Sequence, residues 1–385
     1  MQKNQNLLTN QDSPILLKVA TSEVEKQAIY QFRYKVYVEE MDKQRIDVDT
    51  NHKLISDKLD DWAFNIYAES NGQIVGVNRL NIAPAKDFPT DIAQFLDLAS
   101  FQRTGGITDT ENVTFMTKLM VDKQYRNSPL LYLLMSKSYE FFAEYDIQFG
   151  FGACNLHLLR LYEQIGLHRY AKNFIDGGYG LLFPIVMLAD DVEHFRQVRS
   201  PLYRLARKKP NKQLEKIHWF YDTFHKDSGI INSQLISVDE LWEFLCQTLK
   251  TAPTNILPIL AGLSIEEAKI FLHACGSVIQ CQPNDLMTVQ GEVSYSYTIV
   301  LSGKLKSTTF VNPEKYYCAG NHFGANGLTA QNKHIESIIA IAPSQVLVLT
   351  GLGFQRFSSS HFDIAHQIVK NCQTQNQSFL YQLAR

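Results

Sequence analysis

The chain has 385 residues, 45% hydrophobic, 11% aromatic and 20% charged, enough apolar matter for two or three cores and too much for a disordered or fibrous protein. Lys and Arg number 37 against 39 Asp and Glu, a net charge of −2, so no global basic field exists to hold nucleic acid and no such partner is expected. Six cysteines without CxxC pairs exclude a disulfide framework or a zinc site, and no apolar run reaches the about 18 residues of a membrane span.

In chain order, Met1 to Asp12 is polar and lacks the apolar stretch of a secretory leader, so a cytoplasmic location is expected. Ser22 and Glu25 make a capping box that opens a helix running towards Tyr37. Phe64–Glu69 and Ile74–Ile82, split by Asn71-Gly72, spell a β-hairpin. Val113–Val121 reads as a strand. Ser128 then serves as N-cap, with Pro129 at the first helical position and Leu130, Leu133, Leu134, Tyr139 and Phe142 on one broad face. A strand at Ile147–Ala153, a helix at Leu156–Ile165 and strands at Leu167–Phe174 and Leu181–Leu188 complete an α+β order. The stretch from Phe195 to Lys216 is basic, and Pro201 and Pro210 make it a short helix and its exit. From Ala252 short apolar runs between Gly, Pro and Asn have the texture of antiparallel β structure. His52, His157 and His168 stand at no ligand spacing, so no metal is expected.

Two motifs carry a family resemblance. Leu119-Met120-Val121-Asp122-Lys123-Gln124-Tyr125-Arg126-Asn127-Ser128-Pro129 reads as strand, loop and helix start. Cys154-Asn155 is followed by Leu161-Tyr162-Glu163-Gln164-Ile165-Gly166-Leu167. Together they resemble the carrier-binding heart of the GNAT (Gcn5-related) acyltransferases over residues 14–194. The resemblance implies a thioester co-substrate, acyl-CoA or acyl carrier protein (ACP), held by the main chain of Leu119, Met120 and Val121 and by the loop Gln124, Arg126, Asn127 and Ser128. A helix start binds phosphate through its free N–H groups and dipole. Where the family usually places glycines, Asn127 and Pro129 stand here, a weaker cradle that suits the single phosphate of an ACP arm.

Arg33-Tyr34-Lys35-Val36-Tyr37-Val38-Glu39-Glu40, Asp57-Lys58-Leu59-Asp60 and Gly76-Val77-Asn78-Arg79-Leu80 resemble the branch holding acyl-homoserine-lactone and N-acyl amino acid synthases. That likeness implies an amine pocket of Arg33, Asp57, Asp60 and Arg79. Lys118 stands where the autoinducer branch has arginine, and that branch's strand glutamate is absent, so the amine is open. Aminolysis of a thioester needs a neutral amine, a polarised carbonyl and a proton for the leaving sulfur. The expected roles are Tyr162 as thiol acid, Asn155 as holder of the pantetheine arm, and Asp57 or Glu39 as proton acceptor through water. Tyr162 as a packing tyrosine, Arg33 with Asp57 and Asp60 as a structural ion network, and the 124–129 loop as a plain turn remain the competing readings.

Residues 252–385 resemble a cyclic-nucleotide-binding domain through Gln290-Gly291-Glu292, Leu301-Ser302-Gly303-Lys304-Leu305 and Gly320-Asn321-His322-Phe323-Gly324. The family's phosphate cassette is altered: Ala325 follows Gly324, and Glu336 falls near the place of its arginine. A carboxylate repels a phosphate, so neither cAMP nor cGMP is expected to bind. Two helices, His361–Gln373 and Gln375–Leu383, are predicted to close the chain.

The expected architecture is therefore a GNAT domain (14–194), a basic helical linker (195–251) and a jelly-roll-like β-roll (252–385). The roll is read as structural or dimerising, with a homodimer the assembly in the second case, and the alternative is a regulatory roll that senses some other ligand. Residues 196–216 are either a solvated helix face or a dock for ACP or an anionic membrane surface. The expected function is transfer of a long acyl chain from ACP or CoA to a small amine or amino acid. The alternatives are a non-catalytic acyl-thioester sensor and a protein-lysine acetyltransferase.

Overall fold

The computed structural model describes residues 14–41, 48–126, 128–209, 212–226, 230–309, 314–324 and 326–383. The chain forms two compact units, one of residues 1–88 and 108–150, the other of residues 89–107 and 151–385. The expected domains at 14–194, 195–251 and 252–385 follow the chain in series, whereas these units interleave along it.

The first unit is built on antiparallel strands β1 (Leu16–Val19), β2 (Phe64–Ser70), β3 (Gln73–Pro84) and β4 (Asn112–Val121), hydrogen-bonded in that order. Asn71 and Gly72, both at positive φ, make the tight turn of the β2–β3 hairpin. Helix α1 (Glu23–Tyr34) opens with the Ser22/Glu25 capping box and runs on into a π-helical turn at Lys35–Glu40. Its Ile29 and Phe32 pack with Tyr67, Val77 and Met120 on one face of the sheet. Helix α2 (Leu130–Glu144) covers the other face, where Leu130, Leu134 and Phe141 meet Ile66, Ala68 and Leu80. It lies so close that a Cβ on Gly76 would meet Leu134 Cδ1 at 2.9 Å. The helix starts one residue later than expected: Pro129 is at the cap, and the Ser128 hydroxyl still accepts the Leu130 N–H.

One irregularity decides what the sheet presents. Val77 pairs with Met120 and Arg79 with Thr117, so Lys118 and Leu119 together oppose Asn78. Such a bulge reverses the alternation of side chains beyond it. Thr117 and Met120 therefore share the α1 face, and Lys118, at φ 56°, is turned towards it as well.

The second unit begins along strand β5 (Phe149–Asn155), which pairs with β8 (Gly180–Leu188); β8 also pairs with β6 (Leu167–Arg169) and β7 (Phe174–Asp176). Between β5 and β6 lies helix α3 (Leu159–Ile165), closed by Gly166 at φ 115°. The single strand expected at Leu167–Phe174 is thus split in two, and the strand expected at Ile147 starts at Phe149, after Asp146 at φ 50° has turned the chain. Short helices at Val192–Gln197, Tyr203–Ala206 and Leu214–Phe220 follow, with Phe195, Leu202, Ala206 and Phe220 buried.

Helices α4 (Val238–Leu249) and α5 (Ile265–Cys275) lead into an antiparallel roll. Its two four-stranded sheets are β9 (Gly276–Cys281), β16 (Ser344–Thr350), β11 (Ser296–Ser302) and β14 (His322–Phe323), and β10 (Leu286–Thr288), β15 (Ile338–Ala340), β12 (Leu305–Ser307) and β13 (Tyr316–Tyr317). Leu272, Tyr297, Ile299, Leu347 and Leu349 form its core with residues of α4, of α6 (Gly351–Ser358) and of α7 (Phe362–Leu383). The two terminal helices expected from the sequence are one helix, α7. Thr374 does not break it, because its hydroxyl bonds back to the Lys370 carbonyl at 3.1 Å. No described helix is long and apolar enough to cross a membrane.

Candidate functional site

On the α1 face of the first unit lies a buried charged network. Asp57 caps a 3₁₀ turn (Lys58–Trp62), accepting the Leu59 N–H, while Asp60 accepts the Asp57 N–H in return. Both carboxylates then face arginines. Arg33, from the last turn of α1, donates to both Asp60 oxygens at 2.9 and 2.8 Å and to Asn65 Oδ1 at 2.6 Å. Arg79, from β3, reaches Asp57 at 2.6 Å, Asp60 at 3.1 Å and the Thr117 hydroxyl at 2.9 Å. The bulge brings Lys118 Nζ to 3.4 Å from Asp57 Oδ2 and over the Tyr37 ring.

Arg33, Arg79 and Asp60 are 0, 2 and 3% exposed, so their charges exist only because each is paired. Among the described residues, Arg33, Arg79 and Lys118 face the carboxylates of Asp57 and Asp60. Burial pulls the Asp57 carboxyl up, but the Arg79 guanidinium and the Lys118 ammonium outweigh it and hold it below the usual range. Arg79, desolvated yet flanked by Asp60 and Asp57, is held above its own. The structure thus brings together Arg33, Asp57, Asp60, Arg79 and Lys118. Asn65 and Thr117 belong with them and were not singled out from sequence; Thr117, beside Lys118, carried the signal. Glu39 is exposed and paired with Lys53 at 2.8 Å.

The loop after β4 already uses its own donors. Asp122 accepts the Gln124 N–H at 3.0 Å and the Lys35 ammonium at 2.7 Å. The N–H groups of Tyr125 and Ser128 donate to the carbonyls of Asp122 and Tyr125. Arg126 pairs with Glu40 and donates to the Val121 carbonyl. Asn127 lies outside the described residues, as does Ala325.

Asn155 and Tyr162 belong to the second unit. The Asn155 amide donates to the Tyr179 carbonyl at 2.6 Å, and Tyr162 is half-buried on α3. A cavity of about 330 Å³ in this unit, lined among others by Tyr170, Lys172, Asn173, Phe183, Phe224 and Gln282, contains none of the expected site residues. In the roll, Glu336 accepts from the Tyr317 hydroxyl at 2.5 Å and from Lys315 at 3.0 Å; burial raises its carboxyl, and these partners more than offset that. In the basic stretch, Lys209 is buried against Asp190 and Lys216 donates to the Gly106 carbonyl, while Arg199, Arg204, Arg207 and Lys208 are exposed. Among the described residues no group of three or more His, Cys, Asp or Glu is arranged to hold a metal ion.

Residues 32–136 match the family profile of the acetyltransferase (GNAT) domain, and the chain carries that domain there. No curated protein sequence matches the chain. Among solved structures it is similar to FeeM, an N-acyl amino acid synthase from uncultured soil microbes (11% identity over 50% of this chain and 98% of that one, TM-score 0.38). It is also similar to BjaI, a CoA-dependent acyl-homoserine lactone synthase (13% identity, 49% of this chain and 91% of that one, TM-score 0.39). A third likeness is to a cyclic nucleotide-binding domain from Methylobacillus flagellatus (15% identity, 38% of this chain and 80% of that one, TM-score 0.31).

Proposed function

We propose that the protein transfers an acyl group from a phosphopantetheine thioester, carried by ACP or CoA, to the amine of a small substrate that also bears a carboxylate. The observation that carries this reading is the cluster of Arg33, Asp57, Asp60, Arg79 and Lys118 inside the GNAT domain, which sets cations and carboxylates side by side. An amino acid suits it: the carboxylate meets Lys118 and Arg79, and the ammonium meets Asp57. With its carboxyl held low, Asp57 binds the ammonium better than it deprotonates it, so the proton passes to water, with Glu39 as the other acceptor.

The neutral nitrogen then attacks the thioester carbonyl; the C–N bond forms, the C–S bond breaks, and the sulfur takes a proton. The Leu119 N–H, at the bulge outside the strand register, is the proposed donor to the carbonyl oxygen. Met120 and Val121 offer main-chain bonds to the pantetheine arm, Asn155 is proposed to hold that arm, and Tyr162 protonates the thiolate. Gln124, Arg126, Asn127 and Ser128 are proposed to take the phosphate. Because the Gln124 N–H and Arg126 are already engaged, a single phosphate is favoured over a diphosphate.

The test is free-thiol release and product mass with long-chain acyl-ACP and acyl-CoA against a panel of amino acids and simple amines. An N-acyl amino acid is the expected product. Tyr162→Phe is expected to lower kcat by about 100-fold or more. Lys118→Ala is expected to raise KM for the amino acid by about 10-fold to 100-fold, the loss of one charge-assisted bond. Thioester binding without product would leave a sensor, and acylation of protein lysines alone would replace the small amine by a protein.

A further inference from the structure

Helix α3, which carries Tyr162, is held along its back by the roll and the segment leading to it. Arg160 reaches across with its guanidinium: one nitrogen donates to Ser233 Oγ and the Gly276 carbonyl, each at 2.7 Å, and the other to the His273 carbonyl at 2.9 Å. His273 and Gly276 lie at the C-terminal end of α5, where carbonyls lack intrahelical partners and a cation is favoured. Gln234 returns a bond to the Arg160 carbonyl at 3.1 Å, and Arg356 of α6 donates to Gln164 at 3.0 Å. Just ahead of α3, the ring of His157 stacks on Tyr295 with centroids 4.5 Å apart.

The spacing matters as much as the contacts. Arg160 and Gln164, four apart, stand on one face of α3, whereas Tyr162 lies two positions from each, about 200° around the helix. The roll therefore grips the side of α3 opposite the phenol. A second arginine reinforces the grip: Arg169 of β6 ties the buried Glu163 of α3, at 2.8 Å, to the carbonyls of Val278 and Ile231.

We infer that the β-roll is the positioning body for the Tyr162 helix and that Arg160 is the positioning residue through which it acts. The inference rests on the acyl-transfer reading for the role of Tyr162, and its two readouts separate the failures. In the full-length protein, Arg160→Ala is expected to lower kcat for thiol release by about tenfold or more with KM for the thioester within about twofold, and this loss is expected to vanish in a Tyr162→Phe background. Arg160→Lys, which keeps a cation but not the fork, is expected to restore part of kcat.

Amide hydrogen exchange supplies the readout that needs no turnover. Arg160→Ala is expected to speed exchange across residues 159–165 by about tenfold while leaving β8 within about twofold. Should Arg160→Ala fail to fold, Arg356→Ala, an exposed side chain, is measured by the same exchange and expected to move the same segment to a lesser degree. An unchanged exchange rate in α3, or a kcat unchanged in Arg160→Ala while Tyr162→Phe lowers it, overturns the inference. A kcat unchanged in Tyr162→Phe overturns the acyl-transfer role instead.

Discussion

Removing the negative charge of Asp60 tests whether the network is an ion-pair lock or a loosely solvated patch. Asp60→Asn keeps the volume and one acceptor, but Arg33 loses its carboxylate at 2.8 and 2.9 Å and Arg79 loses one at 3.1 Å. Both guanidiniums are at most 2% exposed, so water cannot compensate. Leaving a buried charge without its partner costs about 3–5 kcal/mol. With a urea m-value of about 1–3 kcal/mol per M, the midpoint falls by about 1–5 M. The assay is urea unfolding followed by Trp62, which sits in the turn after Asp60, in a Trp219→Phe, Trp242→Phe background. The contrast is Glu69→Gln, which breaks the surface pair with Lys18 at 3.1 Å and is expected to cost less than about 1 kcal/mol. Equal midpoints for the two variants would refute the argument that burial makes this network essential.

Leu134→Ala, at a fully buried position against Gly76, is expected to cost the first unit about 2–5 kcal/mol in the same assay. In the second unit, burial together with the neighbouring His168 pushes the His194 imidazole down to about 3, and burial with His168 lowers His225 to about 4. Both are depressed below the unfolded value of about 6.5, so the neutral forms are favoured in the fold; stability is full above that pH and falls as pH drops towards 3 for His194 and towards 4 for His225, by at most about 1.4 kcal/mol per unit for each group. Urea midpoints between about pH 7 and 5 measure this, and a His194→Phe variant is expected to flatten the slope. Isothermal titration of cAMP and cGMP is expected to give no binding at micromolar concentration, because Glu336 presents a carboxylate held ionised by Lys315 and Tyr317.

Local chemistry was legible in the sequence where residues close in the chain decide the outcome. The Ser22/Glu25 capping box forms as expected, Ser264 and Glu267 make the same motif, and Asn71-Gly72 makes its turn. The same signal at Ser237/Glu240 starts α4, a helix that composition had merged into a linker. The bulge at Lys118–Leu119 had no such signal. It exists because residues 77–79 of β3 pair out of step with 117–120 of β4, a fact about two distant segments. Arg160 escaped for the same reason: its partners stand 73 to 116 positions further along the chain.

Charge balance ties these threads together. A buried arginine is tolerated only with acceptors in place, and this chain meets that demand in two different ways. In the first unit Arg33 and Arg79 are met by carboxylates, with Lys118 beside Asp57. In the second unit Arg160 is met by main-chain carbonyls and a serine, and Arg169 by Glu163 and two carbonyls, which satisfy the donors without a ligand. Donors satisfied by backbone hold a helix in place; cations and carboxylates set side by side match the opposite charges of an amino acid. By that criterion the first set is where substrate chemistry belongs, and the second is the frame that holds α3 steady.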